Sequence, residues 1–177
     1  MKWIIILAVT LFFISIAGIS MATPESILVR PYKVSFDLGN VGNHTINAKP
    51  PRMGENLYGI SYTVYDVSIN GTSHNADITI HDFSMPTGNN AKEATEVALK
   101  AASQGCGEPI VINRTIDGIP GALGIVDCPG CELSLFMYPF DYNPANNTLN
   151  SMVVVTSTYP WNEGTAALVK TIHVEKV

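Results

Sequence analysis

A strand pattern closed by a hairpin turn most constrains what this chain can fold into. Residues 60–69 (ISYTVYDVSI) are rich in β-branched and aromatic side chains, and Asn70-Gly71 follows them directly. An Asn-Gly pair after such a segment is the strongest short-range signal of a β-hairpin. A return strand is therefore predicted over 75–83, antiparallel to the first.

Further strands are predicted from the same alternation of apolar and polar residues. They cover 32–36, 109–115, 121–127, 132–140 and 152–158. The last of them (MVVVTST) is almost continuously β-branched, which is typical of a central strand buried on both faces. Polar, Pro-rich or Asn-rich composition predicts loops or irregular segments over 23–30, 42–59 and 141–150.

Two helices are predicted between and after these strands. The first covers 91–104, begins with a capping box of Asn90 and Glu93, and ends before Gly105. Its apolar stripe, expected to face the sheet, comprises Ala94, Val97, Ala98 and Ala101. The second helix is predicted over 164–172, and the tail after it is expected to fray.

Hairpin-length connections dominate this order, so the sheet is expected to be mainly antiparallel. The predicted fold class is α+β, with a six- or seven-stranded sheet between two helices. The elements follow one another in the order β, ββ, α, βββ, β, α.

The first 22 residues carry the pattern of a secretory signal peptide. Lys2 precedes a continuous apolar segment, and Ser20-Met21-Ala22 forms a small-x-small cleavage site. We expect cleavage after Ala22, which leaves residues 23–177 as a single α+β domain, secreted or at the extracytoplasmic face of the cell membrane. The alternative is an uncleaved signal anchor, because the apolar run approaches the length that spans a bilayer.

The charge distribution disfavours two classes of partner. The formal net charge is −5, and the ten Lys and Arg residues are scattered rather than clustered. Nucleic acids and anionic lipid surfaces are bound by grouped cations, so we expect no nucleic-acid partner. Membrane contact is expected only if the N-terminal segment stays uncleaved.

Four Asn-x-Thr sequons mark candidate glycosylation sites of a secreted protein. The acceptor residues are Asn43, Asn70, Asn113 and Asn146. The alternative interpretation is an unmodified surface that is simply rich in Asn and Thr.

The order of elements resembles the PsbP-like architecture. The resemblance is carried by residues 32–36 (YKVSF), one helix much later, residues 116–122 (IDGIPGA), a strand pair and a C-terminal helix. It implies an extracytoplasmic accessory role and supplies no catalytic residues. The leader, the Asn- and Thr-rich body and the sequons are also similar to small secreted envelope proteins of methanogenic archaea, which mostly have no assigned function.

The three cysteines form the sharpest local chemical feature. Pro and Gly between Cys128 and Cys131 favour a type II turn that brings these two cysteines close. A disulfide is therefore expected, with Cys128–Cys131 as the first choice and Cys106 as the free thiol, and with a bridge from Cys106 as the alternative. A metal site with Cys106 as third thiolate and a redox-active pair are the other hypotheses.

No catalytic or cofactor motif is present, since the chain lacks Gly-x-Ser-x-Gly, His-Glu-x-x-His and a phosphate-binding glycine loop. We therefore expect no cofactor and predict a non-catalytic domain that binds a partner protein or a cell-envelope component. The contact is expected through 42–59 or 141–150. The rival hypothesis is a thiol or metal protein centred on Cys106, Cys128 and Cys131, and a hydrolase with scattered catalytic residues is the third.

Aromatic residues at strand ends, Tyr159 among them, are interpreted as lids on the core.

Overall fold

The computed structural model of the protein describes residues 24–56 and 59–177, so the predicted leader over 1–22 lies outside the described residues. The strands are β1 (Glu25–Val29), β2 (Tyr32–Phe36), β3 (His44–Ala48), β4 (Arg52–Glu55), β5 (Ser61–Gly71), β6 (Asn75–Gly88), β7 (Ile110–Ile116), β8 (Ile119–Cys128), β9 (Cys131–Phe140), β10 (Thr148–Ser157) and β11 (His173–Lys176). The helices are α1 (Ala91–Ala102) and α2 (Ala166–Thr171), and a π-helical turn, Trp161–Thr165, directly precedes α2. Among the described residues, none of the helices is long and apolar enough to cross a membrane.

The strands form two antiparallel sheets. The large sheet has the order β3-β5-β6-β10-β9-β8-β7, and β4 also pairs with β5 beyond the end of β3. The small sheet has the order β1-β2-β11. The predicted hairpin from β5 to β6 is confirmed, but its turn lies at Thr72-Ser73, where the Gly71 N–H donates to the His74 carbonyl at 2.9 Å, and not at Asn70-Gly71. The predicted strands β7, β8 and β9 are confirmed and are joined to one another by two-residue turns.

The predicted fold class, a sheet between two helices, is wrong. Strands hold 57% of the described residues and helices 15%, so the fold is mostly β. Helix α1 covers one face of the large sheet over β7, β8 and β9. The opposite face, called the inner face below, is covered mainly by the small sheet, with α2 packed beside β2.

Four strands lie where the sequence predicts no strand. Strand β1 replaces the predicted lead-in, β3 and β4 lie in the predicted loop, and β11 replaces the predicted frayed tail. Strands β3 and β4 both pair along β5 and are separated by Lys49-Pro50-Pro51. Proline has no N–H for a ladder hydrogen bond, so two adjacent prolines interrupt this edge strand. Strands β1 and β11 are short and carry charged residues, but both gain backbone pairing from β2.

The main core lies between the inner face and the small sheet. The large sheet contributes the buried side chains of Val67, Ile69, Ile78, Ile80, Leu123, Phe136, Val153 and Val155. The small sheet and α2 contribute Tyr32, Val34, Phe36, Val174, Leu168 and Val169. Burial of this apolar surface from both layers is the main favourable term in the folding free energy.

Helix α1 packs on the sheet through a stripe that keeps only half of the predicted residues: Ala94 and Ala98 are partly buried against the core, whereas Ala101 is exposed. Ala91, Thr95 and Leu99 are buried, whereas Val97 is 64% exposed. The helix approaches closely because Gly124 of β8 has no side chain beneath Leu99 and Thr95. The predicted cap is also corrected, since Asn90 makes no side-chain cap and Asn89 Oδ1 instead accepts the Ala91 N–H at 3.2 Å.

Gly124→Ala is expected to destabilise the fold at the contact between α1 and β8. A Cβ at residue 124 would lie 2.7 Å from Leu99 Cδ2 and 3.1 Å from Thr95 Cγ2. Overpacking of this kind costs about 1–3 kcal/mol of unfolding free energy. Gly88→Ala is the matched control, because nothing lies within 4 Å of its Cβ position. Urea unfolding measures both variants, and equal midpoints would contradict the close helix–sheet contact.

Candidate functional site

Three separate segments enclose a small polar cavity at one end of the two-layer core. The cavity measures about 210 Å³ and lies between the loop after β2, the β5–β6 turn and the start of the π-helical turn. Its polar lining comprises Asn40, Asn43, Thr72, Ser73, His74, Tyr159 and Glu163. π-Helical turns are rare and occur frequently at functional sites, which adds weight to this location.

Two buried polar atoms at this cavity lack a hydrogen-bond partner among the described residues. They are the Tyr159 hydroxyl and His74 Nδ1. Tyr159 is only 3% exposed, and its ring centroid lies 5.8 Å from that of His74. Buried polar groups are nearly always hydrogen-bonded in native proteins, so these two unsatisfied atoms, both of residues that line the cavity, distinguish this place in the structure.

Tyr159 is held in place from several sides. A Cβ on Gly71 would lie 2.6 Å from the Tyr159 hydroxyl, and one on Gly164 would lie 3.0 Å from Tyr159 Cβ. The Thr165 hydroxyl donates to the Tyr159 carbonyl at 2.7 Å, and the Tyr159 N–H donates to Ser157 Oγ at 3.2 Å. The two glycines and these hydrogen bonds together fix the ring, so the hydroxyl has a defined position.

The loop on the other side of the cavity is anchored by His44. Its Nδ1 lies 3.0 Å from the Gly42 carbonyl oxygen, and its Nε2 lies 2.7 Å from Glu25 Oε1. Gly42 has a positive φ of 75°, a conformation that glycine adopts without steric cost. The anchor therefore connects the cavity to β1 of the small sheet.

The electrostatics of the cavity disfavour an anionic guest. Burial, and secondarily the nearby Glu25 carboxylate, raise the pKa of Tyr159, so its hydroxyl keeps its proton and can donate. Glu163 lines the cavity, and no Lys or Arg belongs to its lining. An anion would find no countercharge there, whereas amide, hydroxyl and carboxylate groups suit a ligand with several hydroxyl groups.

A second polar cluster lies on the other face of the large sheet, where β5 and β6 pair. Asp66 is buried and accepts hydrogen bonds from Arg52 Nε and the Thr79 hydroxyl, each at 2.9 Å. Burial raises the pKa of Asp66, but the hydrogen bonds from Arg52 and Thr79 outweigh burial and hold the pKa below its ordinary value. These hydrogen bonds fasten β4 to the sheet, and the buried Asp66 carboxylate has a partner on each oxygen.

The structure contains a disulfide, but not the one predicted first. Cys106 is bonded to Cys128, with their Cα atoms 4.4 Å apart, and Cys131 is a free, exposed thiol. The segment after α1 returns to β8, where the Gly107 N–H donates to the Asp127 carbonyl at 3.0 Å. This tertiary contact brings Cys106 to Cys128. A disulfide is characteristic of proteins in an oxidising compartment.

The three-thiolate metal site does not form, because the disulfide uses two of the three sulfurs. Within 24–56 and 59–177, no group of three His, Cys, Asp or Glu residues is arranged to hold a metal ion. In the same ranges no serine or cysteine is hydrogen-bonded to a histidine; the histidine side chains with such bonds contact Gly42, Glu25 and Asp117.

All four sequon asparagines are exposed, namely Asn43, Asn70, Asn113 and Asn146. Exposure makes each accessible to modification, and glycosylation stays a prediction. Asn43 also lines the polar cavity, a role for which the sequon gives no signal. Tyr159 is buried as expected of a lid on the core, but it also belongs to the lining of the cavity. His74 has no distinguishing local pattern in the sequence.

A groove of about 680 Å³ lies on the surface beside the start of α1. Asn89, Asn90, Glu93, Asn113 and Arg114 contribute to its lining. The groove contains none of the buried unpartnered side-chain atoms of the described residues, so its chemistry is less specific than that of the polar cavity.

The chain matches no protein-family model, no curated protein and no solved structure.

Peptide mapping is expected to identify Cys106–Cys128 as the disulfide. Alkylation of the native protein without reductant should label Cys131 alone, and digestion should release the 106- and 128-containing peptides as one linked species. Cys106→Ser is expected to lower the unfolding free energy by about 3 kcal/mol, because the bond closes a loop of sequence separation 22. Cys131→Ser is the control with little effect. Linked Cys128 and Cys131 with a labelled Cys106 would contradict this pairing.

His81 is expected to make stability fall on acidification. Burial lowers the pKa of His81; the Asp66 charge opposes this change, and Arg52 adds to it. The unfolded chain therefore binds a proton near about pH 6.5 that the folded protein does not bind, so stability is lost as the pH falls below that value. His81→Gln removes this titration, and its unfolding free energy should decline less steeply than wild type between about pH 7.5 and 5. Identical slopes in urea unfolding would rule out this contribution.

Proposed function

We propose that this protein is a secreted, non-catalytic domain that binds a cell-envelope component, and that the polar cavity recognises one neutral, hydroxyl-rich unit of that component. The observation that carries the proposal is the pair of buried, unpartnered polar atoms, Tyr159 Oη and His74 Nδ1, at the cavity. A hydroxyl-bearing guest would give both atoms the hydrogen bonds that buried polar groups require.

The size of the cavity limits what it can take. Its volume of about 210 Å³ compares with a liquid-water share of about 30 Å³ per molecule. Drug-sized ligands occupy pockets of roughly 300–1,000 Å³. The cavity therefore suits a single small unit, such as one sugar residue of a polysaccharide, while the remainder of a longer ligand would lie on the surface.

The lining supplies the chemistry that a sugar residue needs. The amides of Asn40 and Asn43 can donate and accept hydrogen bonds, and the hydroxyls of Thr72 and Ser73 can do the same. Val41 and the Tyr159 ring add apolar surface for the C–H face of such a ring. Directional hydrogen bonds combined with an apolar contact favour a neutral polyol over an ion.

The proposed extracytoplasmic location draws on two independent observations. The first 22 residues have the pattern of a signal peptide. The Cys106–Cys128 disulfide fits the oxidising compartment to which such a leader delivers a protein. An envelope ligand is available in that compartment, which links the location to the proposed ligand class.

A thiol function is the second candidate, favoured by the exposed Cys131 opposite Cys128 in the hairpin register. A Cys131 thiolate could attack Cys128 Sγ, forming the 128–131 bond and releasing Cys106 as thiolate, with no external oxidant. Peptide mapping after incubation at about pH 8.5, where roughly half of an ordinary thiol is ionised, tests this exchange. A mixture of both linked species would support it, and a single 106–128 species would exclude it.

Tyr159→Phe is expected to weaken sugar binding about three- to tenfold, because it removes one hydrogen bond from the cavity. Tyr142→Phe is the matched control, since the Tyr142 hydroxyl donates to Asn147 outside the cavity. The probes are glucose, galactose and N-acetylglucosamine at about 10 mM, chosen for the weak affinity of a single small unit.

NMR chemical-shift perturbation measures the binding. In the wild type and in Tyr142→Phe, one of the sugars should shift the amide resonances of residues 40–43, 72–74 and 159–163. No shift with any of the three sugars, or equal affinity for wild type and Tyr159→Phe, would contradict the proposal.

A further inference from the structure

Strand β7 is an edge strand with a regular row of outward-facing backbone groups. It ends the large sheet and pairs only with β8 in the described sheet order. The β7–β8 hairpin closes at Ile116 and Ile119 across two residues, so this closing pair is hydrogen-bonded and the pattern alternates from there. The backbone groups of Ile112 and Arg114 therefore point to β8, and those of Val111, Asn113 and Thr115 point outward.

One face of this edge strand is apolar and exposed. Ile110 is 71% exposed and Ile112 is 49% exposed. Glu108 lies on the same side, since it lines a depression of about 180 Å³ together with both isoleucines. Strand alternation directs the Cβ of Arg114 to that face as well, and as an edge residue Arg114 also borders the groove beside α1. An exposed edge with large apolar side chains invites pairing with another strand.

We propose that β7 pairs antiparallel with β7 of a second copy of this chain, about a twofold axis at Val111. This register places Ile110 of each copy opposite Ile112 of the other. It also places Glu108 opposite Arg114 of the other copy. The two facing Val111 residues exchange both backbone hydrogen bonds. The outward Asn113 N–H donates to the Pro109 carbonyl of the second copy. Proline can accept this hydrogen bond although it has no N–H to donate.

Charge complementarity selects both the partner and the register. Glu108 and Arg114 are exposed and have no ion-pair partner among the described residues. In the proposed register each copy supplies both members of the pair, and opposite charges facing each other across strands stabilise a sheet. A shift by two residues would set Arg114 opposite Ile110 and leave both charges unpaired.

The association joins two large sheets edge to edge. A twofold axis perpendicular to the sheet keeps equivalent faces on the same side, so both α1 helices would lie on one face of the extended sheet. The contact involves one strand from each copy and is small, so a weak, concentration-dependent dimer is expected.

Sedimentation velocity over a range of protein concentrations tests the proposal, using unglycosylated protein with Cys131→Ser to prevent covalent dimers. Glu108→Arg and Arg114→Glu are each expected to raise the dimer dissociation constant roughly tenfold or more, because each creates two like-charge contacts per dimer. The double variant Glu108→Arg/Arg114→Glu restores both pairs and should return the dissociation constant to near the starting value. Lys170→Glu, an exposed charge reversal on α2, is the matched control.

Residue-resolved hydrogen exchange tests the register independently of the charges. The amides of Val111 and Asn113 should exchange more slowly as concentration rises, whereas Thr115, beyond the paired stretch, should not change. A monomer at every concentration would overturn the proposal. A dimer that ignores both charge reversals, or that the double variant fails to restore, would overturn it as well.

Discussion

Burial of the inner face of the large sheet is the constraint on which the rest of this structure depends. Val, Ile, Leu and Phe side chains from β5 to β10 project from that face. Of the two α-helices in the described residues, α1 packs on the other face and α2 has six residues. Strands β1 and β2 from one end of the described chain and β11 from the other form the covering layer together. Helix α2 and the π-helical turn lie at the margin of this layer, so the polar cavity is created where the cover ends.

The sequence predicts the parts of this fold that are determined locally. Asp117 and Gly118 both have a positive φ and form the two-residue turn between β7 and β8, as their backbone preferences favour. The β5–β6 hairpin forms as well, but Asn70 and Gly71 belong to β5 and its turn lies at Thr72-Ser73. The strands of the central meander carry enough β-branched residues to be recognised without knowledge of their neighbours. Helix α1 is recognised from its composition, but its buried stripe is not, because the face depends on the absence of a side chain at Gly124 on another element.

The missed elements are those whose stability comes from distant partners. Strands β3 and β4 contain Asn, Arg and Gly and are separated by two prolines, so their own residues favour a loop, yet β5 supplies ladder partners along its whole length. The sequence also predicts too much helix over the sheet, because strands β1 and β11 are not recognised. When β1 and β11 are taken for a lead-in and a tail, a second helix is the only element left to cover the inner face.

The candidate site shows even more clearly that local sequence does not predict which distant residues meet. Asn43, His74 and Tyr159 come from three segments separated by dozens of residues, and none forms a spaced motif with another. The sequence identifies Asn43 as a candidate glycosylation site and Tyr159 as a residue that covers the core. Only the packed structure shows that the hydroxyl of Tyr159 remains unpartnered beside a cavity. The cysteines follow the same rule, since the turn between Cys128 and Cys131 is visible locally but the return of Cys106 is not.

The small sheet has a consequence for the order of folding. Lys33 of β2 and Glu175 of β11 form an ion pair across 142 residues. Contacts of such high sequence separation slow folding, because the intervening chain loses entropy before the pairing stabilises it. The β5–β6 and β7–β8–β9 hairpins can form early from local contacts, whereas the cover over the inner face closes last. Until residues 173–176 pair with β2, the side chain of Val174 is missing from the cover over the inner face. Apolar sheet surface left uncovered during folding is prone to aggregation.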